Sequence, residues 1–408
     1  MDKLINTLTL KNGIRVVHKP DASPVSYCGI AINVGTRDEE DDESGMAHFI
    51  EHMLFKGTDK RKSWHILNRL ENVGGELNAY TTKEETFVYA TVLSVDFERA
   101  MELCANIVFH STFPQNEIDK EVDVIIDEIN SYNDTPSELI FDDFEDLIFS
   151  GSPLGRNILG DADKLRTYRT ADALRFVKRN YATDQILFFS LGNVPFKKIS
   201  QWAERYLGDV PEMHVQSKRE KPCLYVPQKK VIDKNTYQAH VIYGNRAYGL
   251  SENKRLAFYL LNNILGGPGM NSRLNVALRE RSGIAYNIES NYTSYSDSGI
   301  VSIYFGTDVK NMEKSCHIVL NELKKLRNNR FSDLQLSKAK KQLICQLAIS
   351  QESKESLSLS LGKSFLYFDK FESLDDICKS LEEITPSMLM EVANEIFEED
   401  SLSLLKYQ

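Results

Sequence analysis

Residues 45–55 read GMAHFIEHMLF, and this stretch decides how the whole chain is interpreted. Its apolar residues recur with the spacing of an amphipathic helix, for which Ser44 is a plausible N-cap. His48 and His52 are four residues apart, so both imidazoles leave the same helix face. Two imidazoles one turn apart can reach one zinc ion at roughly 2.0–2.1 Å. Glu51 lies beside them and can accept a proton without binding the metal. The stretch therefore predicts a metal centre with a general base.

Two histidines leave a catalytic zinc one protein ligand short. The segment 117–129, EIDKEVDVIIDEI, offers the missing carboxylate. Glu121 and Glu128 are seven residues apart and share one helix face, next to an apolar face marked by Val122 and Ile125. A glutamate at a helix core position is costly unless it is paired or metal-bound. Each pattern alone also fits a structural histidine pair or a solvated helix face, and the combination favours a metal.

The chain divides into two halves of similar plan. The only long stretch that resembles a linker is 208–230, which holds three prolines and a cluster of charges. We therefore expect an N-terminal zinc-binding domain at 1–210, a linker at 211–230 and a C-terminal domain at 231–408. Strands cluster early and helices late in each half, which favours an α+β fold with a duplicated domain over a doubly wound sheet.

Local patterns predict individual elements near the histidine segment and beyond it. Two stretches of alternating polarity predict strands at Glu76–Thr81 and Thr86–Leu93. A longer helical pattern predicts one continuous helix over 162–180.

Composition excludes several classes of protein. The 408 residues are 42% hydrophobic and 26% charged, which is ordinary for a folded chain and unlike a disordered one. Lys and Arg number 49 against 59 Asp and Glu, and the net charge of −10 argues against a nucleic-acid partner. The sequence has no run of 18 apolar residues and no signal-peptide pattern, so we expect no membrane association. Six scattered cysteines without a CxxC pair predict reduced thiols and a cytoplasmic location.

At residues 34–38 and 45–58 the sequence resembles the inverted-zincin peptidases, the pitrilysin–insulinase–mitochondrial processing peptidase family (M16). The family motif is HxxEH followed by a glutamate about 76 residues later, and here His52 and Glu128 are 76 residues apart. The resemblance implies one zinc ion per chain with three protein ligands, His48, His52 and Glu128. It also implies that Glu51 is the general base and that Glu121, one heptad before the third ligand, supports the site.

Other segments extend the resemblance into the rest of the chain. Residues 74–81, GGELNAYT, are similar to the family's edge strand, where Asn78, Ala79 and Tyr80 would pair with an extended peptide through main-chain hydrogen bonds. Arg279 and Tyr286 are similar to the family's Arg/Tyr pair, which binds the substrate backbone and stabilises the tetrahedral intermediate. Without the family, the same residues fit an ordinary hairpin strand, a helical turn and the start of a strand.

The resemblance covers nearly the whole chain and implies an α+β fold of two similar domains. Each domain would be an α/β roll with a mostly antiparallel sheet flanked by helices, as in the LuxS- and processing-peptidase-like metallohydrolases. A length of 408 residues is similar to that of the short, two-domain M16B-type peptidases, whose active unit is a dimer. Because one chain here has both the zinc motif and the Arg/Tyr pair, the resemblance implies a homodimer.

The activity implied is that of a zinc metalloendopeptidase acting on short or unfolded peptides in an enclosed chamber. Glu138 and Asp142 lie near the place where processing peptidases hold an arginine, so we expect a preference for basic peptides, with an exposed helix face as the alternative. Two other functions stay open, a non-catalytic scaffold subunit and a structural zinc protein, although structural sites prefer four ligands. The acidic run 38–43 departs from the family and is expected to be a solvated loop that complements a helix dipole, with no catalytic role.

Overall fold

A computed structural model describes residues 5–214 and 219–408, which form two compact units. The first unit comprises three segments: the chain up to Ile129, Arg156–Glu220 and Ile349–Ser373. The second unit also comprises three segments: Asn130–Gly155, Lys221–Ala348 and Leu374–Gln408. Each unit has its own sheet and its own buried apolar core.

The described residues form eleven strands and fourteen α-helices. The strands are β1 Asn6–Thr9, β2 Arg15–Pro20, β3 Val25–Ile32, β4 Glu76–Thr81, β5 Thr86–Leu93, β6 Ile186–Gly192, β7 Lys229–Ile232, β8 Gln238–Ala247, β9 Ala285–Ser294, β10 Gly299–Asp308 and β11 Ser403–Tyr407. The helices are α1 Met46–Met53, α2 Ser63–Glu71, α3 Phe97–Phe109, α4 Gln115–Asn133, α5 Pro136–Ile148, α6 Ala162–Leu165, α7 Thr170–Asn180, α8 Phe196–Leu207, α9 Arg255–Gly266, α10 Met312–Asn328, α11 Asp333–Ser350, α12 Lys354–Phe368, α13 Leu374–Glu382 and α14 Pro386–Ile396. Within the described residues, none of these helices is long and apolar enough to cross a membrane.

The first sheet has the strand order β1-β2-β6-β3-β5-β4. Strand β6, ILFFSLG, is buried along its whole length, as expected for a central strand with both faces covered. Strands β2 and β6 run parallel, and every other neighbouring pair is antiparallel. Strand β4 ends the order and pairs with β5, so its outer side is an edge of the sheet.

The second sheet has the strand order β7-β11-β8-β10-β9. Strands β7 and β11 are parallel, and the remaining pairs are antiparallel. Both the order and the directions repeat those of β2-β6-β3-β5-β4 in the first sheet. The prediction of an α+β fold with two similar domains and mostly antiparallel sheets is confirmed.

One face of each sheet is covered by a helix from the other half of the sequence. Helix α12 packs on β3 and β6, where Leu361 and Phe365 join a buried cluster with Phe87 and Phe189. Helix α5 packs on β8 and β11, and its Phe144 belongs to a second cluster with strand residues of that sheet. Each unit thus has three layers, with its sheet between helices.

These two helices explain why the compact units differ from the halves expected at 1–210 and 231–408. Segments 130–155 and 349–373 each join the other unit, because the apolar faces of α5 and α12 are buried there. The expected linker at 211–230 is divided between the units after Glu220. Its residues 215–218 lie outside the described part of the chain.

Candidate metal centre

Helix α1 carries the two histidines on the side opposite to its core residues. Phe49, Ile50 and Met53 are fully buried and fix the helix against the sheet. This orientation leaves His48 and His52 together on the other face, with ring centroids 4.6 Å apart at an interplanar angle of 64°. Glu51 lies one turn after His48, and its side chain is partly buried.

The start of α1 differs from the sequence expectation. Gly45 is the N-cap, with a left-handed φ of 80°, and no side chain of that residue or of Ser44 caps the helix. A Cβ on Gly45 would lie 2.7 Å from the Cα of Gly160, so this close approach requires a glycine. The prediction of Ser44 as the N-cap is wrong.

A carboxylate from the acidic run 38–43 accepts hydrogen bonds from free backbone N–H groups at the start of α1. Glu39 accepts hydrogen bonds from the backbone N–H groups of Gly45, at 3.1 Å, and Ala47, at 2.9 Å. Glu39 is 5% exposed and Glu43 is fully buried against Arg179, so the expectation of a solvated loop is wrong for both. Burial raises the pKa of the Glu39 carboxyl to about 8, against the opposing effect of the two N–H groups.

Helix α4 brings a carboxylate to the two imidazoles. Ile118 and Ile125 are buried in the core and set the rotation of the helix. The Glu128 Oε2 lies 3.9 Å from the Nε2 of His48 and 3.7 Å from the Nε2 of His52. The three potential ligand atoms all lie within 4.8 Å of one another. Among the described residues, this is the only group of three or more His, Cys, Asp or Glu side chains that could hold a metal ion.

Glu121 contacts the ring nitrogen of His52 that does not face Glu128. Its Oε1 lies 2.9 Å from the Nδ1 of His52, and its Oε2 lies 2.5 Å from the Nζ of Lys56. If Nδ1 donates its hydrogen to this carboxylate, Nε2 keeps its lone pair on the side of Glu128. Burial alone would raise the pKa of Glu121, but the hydrogen bonds from His52 and Lys56 outweigh it, and the pKa is lowered.

The protonation states of His48 and Glu51 suit a ligand of a metal cation and a general base, respectively. Burial, followed by the neighbouring His52, lowers the pKa of His48 to about 3, so its imidazole is neutral at pH 7 and able to ligate. Burial raises the pKa of Glu51, and the charge of Glu128 adds to this effect. A hydrogen bond from the Thr81 side chain acts in the opposite direction. One carboxylate oxygen of Glu51 is buried without a hydrogen-bond partner among the described residues.

These donors fit a zinc ion. Two imidazole nitrogens and one carboxylate oxygen are a ligand set of catalytic zinc sites, which keep a further position for water or substrate. The unpartnered oxygen of Glu51 on the same helix can accept a hydrogen bond from that further ligand. A structural site would be expected to offer four protein ligands, usually with cysteine.

The edge strand β4 ends next to this cluster. Asn78 is exposed on it, and Ala79 and Tyr80 are half-buried. Strand β4 packs beside α1, and the side chain of Thr81 at its end opposes the rise in the Glu51 pKa. The strand predicted to pair with a peptide therefore lies next to the helix that carries the candidate base.

Comparisons with known proteins agree with this geometry. Residues 15–162 match the family described as Insulinase (Peptidase family M16), and residues 169–343 match the family described as Peptidase M16 inactive domain. A protein of Bacillus subtilis (strain 168), named an uncharacterized zinc protease, is 31% identical over 399 residues, which cover 97% of each chain. The chain belongs to peptidase family M16. The resemblance inferred from the sequence is confirmed.

Other known proteins are similar to the chain over nearly its whole length. The mitochondrial-processing peptidase subunit beta of Saccharomyces cerevisiae is 29% identical, over 95% of this chain and 87% of its own. A crystal structure of a protease from Helicobacter pylori has a TM-score of 0.91 at 20% identity, over 100% of both chains. A crystal structure of a peptidase M16 inactive domain from Pseudomonas fluorescens has a TM-score of 0.92 at 19% identity, over 99% of this chain and 97% of that one. Both crystal structures show the same fold.

The remaining residues that the M16 resemblance singled out belong to the second unit. Arg279 is exposed on the helical turn Asn275–Glu280, and Tyr286 is 75% exposed at the start of β9. Glu138 is exposed on α5, and Asp142 is half-buried there. The histidine cluster belongs to the first unit, so the roles of these four residues stay predictions.

Three residues of the site were missed in the sequence. Lys56 lies beyond Met53, where α1 ends, so helix periodicity does not indicate its contact with Glu121. Thr81 ends a predicted strand, but nothing in its neighbourhood indicates contact with Glu51. Glu39 reaches α1 across a loop, and an acidic run does not indicate which of its members is buried.

Proposed function

We propose that this chain is a zinc-dependent endopeptidase of short or unfolded peptides. One observation carries the proposal: three potential ligand atoms of His48, His52 and Glu128 lie within 4.8 Å, with Glu51 on the same helix as the histidines. A histidine pair that served only the core would need no converging carboxylate and no buried base beside it.

Residues of the first unit would have separate roles in hydrolysis: metal binding, proton transfer and orientation of a ligand. A zinc ion held by His48, His52 and Glu128 would polarise the peptide carbonyl and lower the pKa of a water molecule to about 7. Glu51 removes a proton as this water attacks, and a raised carboxyl pKa makes that transfer easier than for an exposed glutamate. Glu51 then returns the proton to the leaving amine. Glu121 keeps His52 in the orientation and tautomer that ligation needs.

The substrate would lie along β4 in an extended conformation. The outer side of this strand is an edge of the sheet, and an added strand would satisfy its free N–H and C=O groups. Because β4 packs beside α1, the helix that carries Glu51, a peptide paired with this strand would pass close to the base. The added segment must be extended, with free main-chain groups, and short or unfolded peptides offer such segments readily.

The second unit would contribute residues that the family resemblance identifies. Arg279 would bind the substrate backbone, and Tyr286 would stabilise the developing oxyanion with its exposed phenol. Since one chain holds these residues together with the histidine motif, we expect an active homodimer with substrate enclosed in a chamber. Sedimentation of the purified protein as a monomer at assay concentration would contradict the homodimer. The six free cysteines support a reducing, cytoplasmic location.

A preference for basic peptides would depend on Glu138 and Asp142. Both are on α5, where Glu138 is exposed and Asp142 is half-buried. The double variant Glu138→Gln/Asp142→Asn should lower kcat/KM for an arginine-containing peptide about tenfold. A neutral peptide of the same length is the control and should be cleaved equally by both proteins. Equal losses on the two peptides would rule out a role in specificity.

The main experiment compares wild type with Glu51→Gln on a quenched basic peptide of about a dozen residues. Removing the base should lower kcat by at least about a hundredfold while bound zinc stays unchanged. Glu71→Gln, an exposed glutamate on α2, is the matched control and should retain full activity. Removal of zinc by a chelator should abolish cleavage, and added zinc should restore it.

Two outcomes of this experiment would contradict the proposal. Cleavage by Glu51→Gln at the wild-type rate would show that this residue is not the base. If neither protein cleaves the peptide while both hold zinc, the chain needs a partner subunit or a narrower substrate, and the alternative of a non-catalytic scaffold subunit is favoured.

A further inference from the structure

A cavity of about 550 Å³ opens on the first unit between α3, α7 and the end of α8. Its walls are mostly apolar, with Phe109, Leu174, Val177, Tyr206 and Val210, and they also include the carboxylates of Glu102 and Asp209. Leu174 is 46% exposed, so apolar surface faces solvent here without covering the core. The volume lies within the range of small-molecule pockets, roughly 300–1,000 Å³.

A basic groove of about 340 Å³ lies next to this cavity. It is lined by four cationic side chains together with an indole: Lys60, Arg61, Arg69, Arg99 and Trp64. Its other lining residues are a histidine and two asparagines, so none of the described residues that line it is acidic. The indole of Trp64 is 60% exposed. Arg61 and Arg69 are ion-paired with Glu102 and Arg99 with Asp96, so Lys60 is the one cation of the groove without an ion pair among the described residues.

The groove and the cavity meet at residues 60 and 61. Lys60 lines both of them. Arg61 donates hydrogen bonds to Asn106, at 2.7 Å, and to Glu102, at 2.9 Å, and both of these partners line the cavity. Lys60, and Lys178 on the cavity wall, are exposed and have no ion-pair partner among the described residues. Two cations are therefore available where the apolar walls end.

We propose that this surface binds a single-chain anionic amphiphile, an alkyl chain with a phosphate or carboxylate head group. The alkyl chain would fill the cavity beside Leu174 and Val177, and the head group would lie near Lys60 and Lys178, the two lysines without an ion pair. Trp64 suits the boundary, because an indole presents both an apolar ring and a polar N–H. An inorganic anion would leave the apolar cavity unfilled, and a neutral alkyl compound would leave the cations unmatched. None of His48, His52 and Glu128 lines the cavity or the groove, and the proposal does not depend on a bound metal.

The test uses decyl phosphate below its micelle concentration, with binding followed by calorimetry and by the fluorescence of Trp64. We expect one molecule to bind per chain. Each methylene added from octyl to dodecyl phosphate should strengthen binding about fourfold until the cavity is full. Inorganic phosphate, decyl maltoside and decyltrimethylammonium, as probes of head or tail alone, should each bind at least about tenfold more weakly than decyl phosphate.

Two pairs of exposed-residue variants locate the site without disturbing the core. Leu174→Glu places a charge in the cavity wall and should weaken decyl phosphate binding about tenfold. Lys60→Gln removes a cation and should weaken it about fivefold. The matched controls are Leu334→Glu, at a leucine 66% exposed in the second unit, and Lys62→Gln, which lines neither the groove nor the cavity. Both controls should bind as wild type does.

Several results would overturn the proposal. Equal affinity for decyl phosphate and decyl maltoside would show that the head group is not recognised, and equal affinity for inorganic phosphate would show the same of the chain. Binding to phosphatidylglycerol vesicles without binding to monomeric decyl phosphate would assign the surface to a membrane instead. Wild-type affinity in Leu174→Glu and Lys60→Gln would place the amphiphile elsewhere.

Discussion

Glu121 is a buried carboxylate placed between His52 and Lys56. Its charge is matched by Lys56, and its hydrogen bond to Nδ1 selects the histidine tautomer. Replacement by glutamine keeps the shape but removes the charge and allows the amide to present its NH₂ group to Nδ1. Glu121→Gln should therefore weaken zinc binding about 10- to 100-fold while the chain stays folded. A competition titration with a chromophoric zinc chelator at pH 7 measures this change.

The matched control for Glu121 is on the same helix. Glu117 is likewise paired with a lysine, Lys120, but it lies a full turn before Glu121 and away from the histidines. Glu117→Gln should bind zinc as wild type does. If Glu121→Gln also retains wild-type affinity, the hydrogen bond to His52 has no part in metal binding.

At the residue scale, sequence predicts the contacts that helix periodicity determines. His48, His52 and Glu128 could be grouped because a four-residue spacing fixes two of them on one face and a family motif supplies the third. Glu39 could not be assigned, since its bonds to the start of α1 depend on the path of a loop. A pattern of charges does not show which carboxylate is buried.

Pairing of the substrate with the edge strand β4 can be tested by changing the peptide instead of the protein. In a paired strand, only every second N–H of the peptide faces the neighbouring strand. Methylating one of those nitrogens removes a hydrogen bond and adds bulk against β4, which should lower kcat/KM about tenfold. Methylation at the positions between them should have little effect.

A scan of singly N-methylated peptides, all of one sequence, measures this periodicity. Losses at alternate positions would support pairing with β4. A uniform effect, or sensitivity only at the cleaved bond, would contradict strand addition and favour recognition of side chains alone.

At the element scale, sequence predicts the strands better than the helix ends. The bounds of β4 and β5 match the predicted Glu76–Thr81 and Thr86–Leu93, because alternation and flanking turn residues mark them clearly. The single helix predicted over 162–180 is wrong, since the structure has α6 and α7 with a break between them. Asp172, in the first turn of α7, accepts a hydrogen bond from the N–H of the N-cap Arg169 at 2.9 Å and so stabilises the start of the second helix. Buried Tyr168 fills the break.

At the scale of the whole molecule, the sequence does not predict that α5 and α12 each pack on the sheet formed by the other half of the chain. Each helix has an apolar face, and its pattern of hydrophobic residues is compatible with the open side of either sheet. Leu361 and Phe144 are both fully buried, the first against the sheet of β3 and β6 and the second against the sheet of β8 and β11. The choice of sheet depends on packing that local periodicity does not encode.

Because α5 and α12 each cover the sheet formed by the other half of the sequence, a core mutation in either helix should destabilise that sheet. Leu361→Ala should destabilise the first unit by about 2–5 kcal/mol, and Phe144→Ala the second by about 3–5 kcal/mol, because each leaves a cavity. Hydrogen–deuterium exchange should then rise in β3 and β6 for Leu361→Ala and in β8 and β11 for Phe144→Ala. Each variant is the control for the other. If exchange rose in the sheet of the same sequence half, the two helices would not cover the sheets described here.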